Sequence, residues 1–163
     1  MQLLLEFFMA GIATIGFGII INIPKRALIA AGAIGGVSWT IYWAMLQVRL
    51  GLALSALTAT TVIALLSLYA ARRMKLPMII FNIPGIVPLV PGGQAYQMIR
   101  NFALSNSDMA THFMLEVGEI AGSIGIGFLM AEFIDRLQRK IIITLKEHKQ
   151  RSKSRSANNT EKE

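Results

Sequence analysis

Hydrophobic positions in this chain fall in long blocks rather than in alternation. Residues 3–23 read LLLEFFMAGIATIGFGIIINI, and 27–46, 50–71 and 110–134 form three more such blocks. At about 1.5 Å of rise per residue, each predicts a helix able to cross the roughly 30 Å hydrocarbon core of a bilayer. The first block has no basic segment before it, carries Glu6 inside it, and lacks a small-residue cleavage site before Pro24, Lys25 and Arg26. It is therefore read as a retained helix and not a signal peptide. In the second block Gly32 and Gly36 form a small-residue face suited to close helix packing, and Trp39, Tyr42 and Trp43 stand where interfacial aromatics are expected. Thr, Ala and Leu dominate the third block, which stops at Arg72, Arg73 and Lys75.

The segment 77–104 differs. It reads PMIIFNIPGIVPLVPGGQAYQMIRNFAL and holds Pro77, Pro84, Pro88 and Pro91. Proline lacks a backbone donor and clashes with the preceding turn, so one straight helix is not expected. The pattern predicts a short half-helix, an unwound stretch from about Asn82 to Pro91, and a second half-helix starting near Gly92. Such backbone survives at membrane depth only where it is buried in protein or lines a wet cavity. The expected fold class is an all-α integral membrane protein of about five transmembrane helices, the fourth broken by this Pro/Gly-rich stretch.

Composition agrees. Of 163 residues 54% are hydrophobic and 15% charged, below the usual charged share of about 25%. There is no cysteine, so disulfides, thiol nucleophiles and Cys-based metal sites are excluded. The net charge of +7 belongs to the tail: nine Lys/Arg and three acids fall from Arg136 onward, seven and six before it. The near-neutral body excludes a broad nucleic-acid face. Three regions are expected: a transmembrane domain at 1–135, a basic amphipathic extension at 136–149 and a disordered basic tail at 150–163, the tail lying against anionic lipid. Five crossings with a cytoplasmic tail put Lys25, Arg26, Arg72, Arg73 and Lys75 inside and only Arg49 and Arg100 outside, as the positive-inside rule requires. That places the N-terminus outside.

Candidate chemistry centres on the broken element. A helix beginning at Gly92 and Gly93 offers unpaired N–H groups and a positive dipole end to a carboxylate, and carbonyls freed by Pro84, Pro88 and Pro91 suit an ammonium group or a cation. Asn82, Pro84, Gly85, Pro88, Pro91, Gly92, Gly93, Gln94 and Tyr96 are the candidate substrate-binding residues. The opposing reading is a proline kink used only for packing. Glu116 and Glu119 share a face of the last spanning helix with Ser123, and are candidates for proton coupling. A charge at the centre of a spanning helix costs roughly 2.5–3.5 kcal/mol and so turns toward the bundle or water. The alternative puts both near the outer interface. Glu6, near a helix end, is a weaker case of the same kind. Asn22 and Asn82, each before Ile-Pro, suit capping of freed carbonyls. Gly118 and Gly122 suit helix packing. His112 and His148 have no placed acid or nucleophile, and no phosphate-binding or dinucleotide motif occurs. No enzyme activity, cofactor or metal is expected.

The segments NIPKRALIAAGAIGGVSW and PMIIFNIPGIVPLVPGGQAYQMI, in that order and at this spacing, resemble the threonine/serine exporter family, specifically its C-terminal transmembrane half, which also occurs as a separate small subunit. The likeness runs from about Phe7 to Asp135. It implies a secondary exporter of small amino acids in the inner membrane, thought to run on the proton gradient, with a larger partner subunit carrying the N-terminal half. A homo-oligomer is a further possibility. The same break could serve small organic acids instead, and a non-transporting membrane scaffold that recruits a partner through its tail is the other alternative.

Overall fold

A computed structural model describes the backbone of residues 2–160 and the side chains of residues 2–136. The chain is helical: α1 (Gln2–Ile20), α2 (Lys25–Gln47), α3 (Leu52–Met74), α4 (Ile79–Ile86), a 3-10 turn (Val87–Leu89), α5 (Gly92–Ala103) and α6 (Ser107–Thr160). It divides into two units, Met1–Ala131 and Glu132–Glu163. In the second, Arg136 pairs with Glu132 at 2.6 Å. The extension expected at 136–149 and the tail expected at 150–163 lie, Arg136 apart, outside the residues whose side chains are described.

Among the described residues four helices are long and apolar enough to cross a membrane: α1, α2, α3 and the Ser107–Arg136 part of α6. Ile79–Leu89 adds a shorter apolar helix. Large side chains such as Leu4, Ile12, Ile20, Ile29 and Leu129 face outward, and the core is lined with small residues, as a lipid-facing bundle requires. The all-α architecture of about five helices expected from the sequence is the one observed.

Helix ends repeat one device. Asn22, Arg49, Lys75 and Ser105 take left-handed φ values of 53–59° just after α1, α2, α3 and α5. The next amide then reaches back five residues: Ile23 to Gly18, Leu50 to Met45, Leu76 to Ala71 and Asn106 to Asn101, at 2.9–3.2 Å. This closes carbonyls that the helix end would otherwise leave without a partner. Asn22 thus ends α1 through its backbone.

α2 is the central helix, packed against α1, α3 and α4. The glycine face expected on it is used against α1. A Cβ on Gly36 would stand 2.8 Å from the Phe7 carbonyl oxygen, and one on Gly35 would collide with the buried Thr14. Gly118 and Gly122 on α6 have no neighbour within 4 Å of a Cβ; the α6 glycine in close contact is Gly127, against Leu57 and Thr60 of α3. The core gathers Ala27, Ala31, Ile34, Ala56, Ala59, Ile63, Phe81, Leu89 and Ile120.

The path between α3 and α6 follows from register. Ala53 meets Glu119, and Thr61 meets the Gly127 carbonyl. Both pairs are 66 residues apart, so α6 runs parallel to α3. Two parallel neighbours need an odd number of passages between them. α4, the 3-10 turn and α5 therefore carry the chain back from the Met74 end of α3 to its Leu52 end. Their combined rise is about 36 Å, enough for one crossing.

The break within that passage is shorter than the expected stretch from Asn82 to Pro91. Residues 82–86 are helical, and Pro84 lies inside α4. One proline removes one hydrogen bond, and an eight-residue helix tolerates that when its core face is packed. Pro88 sits at the start of the 3-10 turn, where no donor is needed. Only residues 90–91 leave helical geometry. Val90 is extended, and Pro91 (φ −75°, ψ 53°) centres a tight turn in which the Gly92 amide donates to the Val90 carbonyl at 2.7 Å. These are the values of an inverse γ-turn. The second half-helix begins at Gly92, as expected.

Candidate functional site

Gly85 fixes the depth of the half-helix that precedes the break. A Cβ there would stand 3.3 Å from Ile63 Cγ2 and 3.4 Å from Ile34 Cγ2. Ile63 is the middle residue of α3, so the passage threads the centre of the bundle. Phe81, Pro84, Gly85 and Leu89 are buried there. The Gly92 end of α5 follows about 10 Å farther along the path.

That end has open amides. Gly92 N–H is used in the γ-turn and Ala95 N–H returns to the Pro91 carbonyl at 3.0 Å, while Gly93 and Gln94 have no backbone acceptor. No side chain caps the helix. Gly92 and Gly93 are exposed, and a Cβ on either would meet nothing within 4 Å. The first turn of α5 thus presents two N–H groups and a partial positive charge to an unobstructed space. Of the nine candidate residues, Asn82, Pro84 and Gly85 lie within the core-facing half-helix and Pro88, Pro91, Gly92, Gly93 and Gln94 follow along the break. Tyr96 is 66% exposed, one turn into α5. Asn82 gives no cap: its Oδ1 is buried without a partner.

Glu116 and Glu119 occupy a separate place. Glu119 Oε1 accepts the Ala53 amide at 3.1 Å, at the first turn of α3, whose own N-cap Gly51 has no side chain to offer. A carboxylate is the favoured group at that positive end. Glu116 meets His112 Nε2 at 3.2 Å. Both carboxylates lie within electrostatic reach of the buried Tyr42, which stacks on Trp39 with ring centres 5.3 Å apart. Trp39 Nε1 in turn donates to Glu6 Oε2 at 2.7 Å. Polar and aromatic side chains of α1, α2 and α6 thus gather on the side of the bundle where α3 begins. The sequence marked Trp39 and Tyr42 only as interfacial aromatics, because pairings between helices leave no trace in periodicity.

Four helices long and apolar enough to cross a membrane, with a shorter apolar helix between the third and the fourth, define a multi-pass membrane protein. The family model described as "Threonine/Serine exporter, ThrE" matches residues 6–134, and the chain belongs to that family. An uncharacterized protein of Haemophilus influenzae is 25% identical over 87% of this chain; the chain spans about half the length of that relative. No solved structure matches the chain.

Proposed function

We propose that the chain is one subunit of a secondary-active inner-membrane exporter of small amino acids, threonine and serine, and that it works with a larger subunit supplying the remaining half. Family membership and the half-length match to a longer relative support this reading. The observation that carries it is the open first turn of α5, set beyond a packed half-helix inside the bundle. Its amides at Gly93 and Gln94 suit a substrate carboxylate, and carbonyls near the break suit the ammonium group of a small zwitterionic amino acid.

Coupling is assigned to Glu119 and Glu116. Ionised Glu119 ties α6 to α3 through the Ala53 amide. Protonation removes the charge from that bond and loosens the pair, which lets the passage rock between its two access states. The N-terminus is placed outside and the tail inside, against anionic lipid. The test is efflux of threonine and serine from cells expressing both subunits. Gly92→Leu and Pro91→Ala should each reduce efflux at least tenfold (about 1.4 kcal/mol of coupling) while the protein remains inserted. Glu119→Gln should leave substrate exchange intact but uncouple it from the proton gradient. Native-like efflux from all three variants would overturn the assignment. Export of dicarboxylates in preference to serine would favour an organic-acid carrier.

A further inference from the structure

An amphipathic helix lying on a membrane turns its polar face out to water. α5 does the reverse. Tyr96, Ile99 and Phe102 are 66%, 63% and 53% exposed. The amide side chains lie on the other side: Gln94 and Gln97 are half-buried and Asn101 is buried. Positions 94, 97 and 101 are three and four apart, so they form one row along the helix. The Asn101 side-chain amide donates to the Gln97 carbonyl at 2.8 Å, one turn back. Ala95 and Met98 flank the row and are half-buried too.

Polar side chains turned inward in a lipid-facing bundle have two uses. They pair across a packed helix contact, or they line a wet path. Among the described residues α5 packs closely on none of α1, α2, α3 and α4. Gln94 and Gln97 also keep part of their surface open. The row starts at the open first turn, where Gly92 and Gly93 face unobstructed space. It therefore prolongs the open helix end toward the end of the bundle where α3 begins.

The chemistry of the row suits a passing solute. A glutamine side chain offers a donor and an acceptor on a flexible stem and carries no charge. Two in succession exchange hydrogen bonds with a polar solute without trapping it. Arg100, exposed and one turn past Gln97, puts a cation at the far end, which favours a solute that bears a carboxylate.

We propose that the side chains of Gln94 and Gln97 line a water-filled path along α5, from the open amides of Gly93 and Gln94 to the membrane face where α3 begins, and that Gln97 is a second binding point for the solute. Tyr96 lies on the opposite, lipid-facing side of the helix. The identity of the solute rests on the exporter reading; the path itself does not.

Cysteine labelling in membrane vesicles from cells expressing both subunits tests this. Methanethiosulfonate ethylsulfonate, a small anion, reacts with thiols that water reaches. Residues 94, 96 and 97 lie within about 5 Å along the helix axis, so comparing them reads the face and not the depth. Gln94→Cys and Gln97→Cys should react at least tenfold faster than Tyr96→Cys, although Tyr96 is the most exposed of the three. Equal rates, or fastest reaction at Tyr96→Cys, would overturn the path. Gln97→Leu should raise the half-saturating threonine concentration for efflux about tenfold, and Gln97→Asn should restore part of it. An unchanged value in Gln97→Leu would overturn the binding point. If threonine is not exported at all, the exporter reading fails and the labelling contrast alone decides the path. If the labelling contrast is absent while threonine is exported, the path fails and the exporter reading stands.

Discussion

Replacing Gly127 by alanine tests the contact that sets the direction of α6. A Cβ at this position would stand 2.8 Å from Thr60 Cβ and 2.9 Å from the Leu57 carbonyl oxygen. Carbon atoms in contact prefer about 3.5–4.0 Å, so the helices must part by roughly 1 Å. The carbonyl belongs to the backbone of α3 and cannot swing away. Overpacking of this kind costs about 1–3 kcal/mol. Relief of the glycine penalty in a helix returns about 0.5–1 kcal/mol. A net loss near 1 kcal/mol is expected, about a fivefold shift in the folded ratio. Gly118→Ala is the control, since nothing lies within 4 Å there and only the propensity gain applies. Thermal unfolding of the two purified variants, followed by far-UV circular dichroism, should place Gly127→Ala below the native chain and Gly118→Ala at or above it. Equal midpoints for the two would refute the close α3–α6 contact.

Three further outcomes are expected. Trp39→Phe removes the 2.7 Å bond to Glu6 and leaves a carboxylate without its donor, so stability should fall by about 1.5–3 kcal/mol, and a double-mutant cycle with Glu6→Gln should show the two losses are not additive. Glu119→Leu deletes the charged partner of the Ala53 amide and should cost about 0.3–1 kcal/mol by unfolding, with the deficit shrinking in high salt; a deficit equal at low and high salt would argue against an electrostatic role. Removing residues 150–163 should weaken binding of the solubilised protein to vesicles rich in anionic lipid while leaving neutral vesicles unaffected, as measured by flotation.

The sequence carried those parts of the fold that are local. Long apolar blocks with few charges mark α1, α2, α3 and α6, because the bilayer sets one length for each. The start of α5 at Gly92 was legible too, since Pro91 cannot extend a helix back through it. The extent of unwinding was not. Counting prolines treats each as a break, yet Pro84 costs α4 a single donor and is buried in the core, and Pro88 sits where a 3-10 turn needs no donor. The glycine faces show the same limit. Gly32 and Gly36 and the pair Gly118 and Gly122 look alike as strings, but only the first pair lies against another helix of this chain. Which glycine of α6 meets α3 depends on register, and register is a tertiary property. The pairing of Glu119 with the start of α3 is invisible for the same reason.

The central claim is that the chain returns across the bilayer between α3 and α6 as one broken passage. Single cysteines at Val48, Arg73 and Leu104, all exposed and placed in a naturally cysteine-free chain, test it by labelling with a membrane-impermeant maleimide from each side. The account predicts that Val48→Cys and Leu104→Cys label from one side and Arg73→Cys only from the other. Labelling of Arg73→Cys and Leu104→Cys from the same side would contradict it.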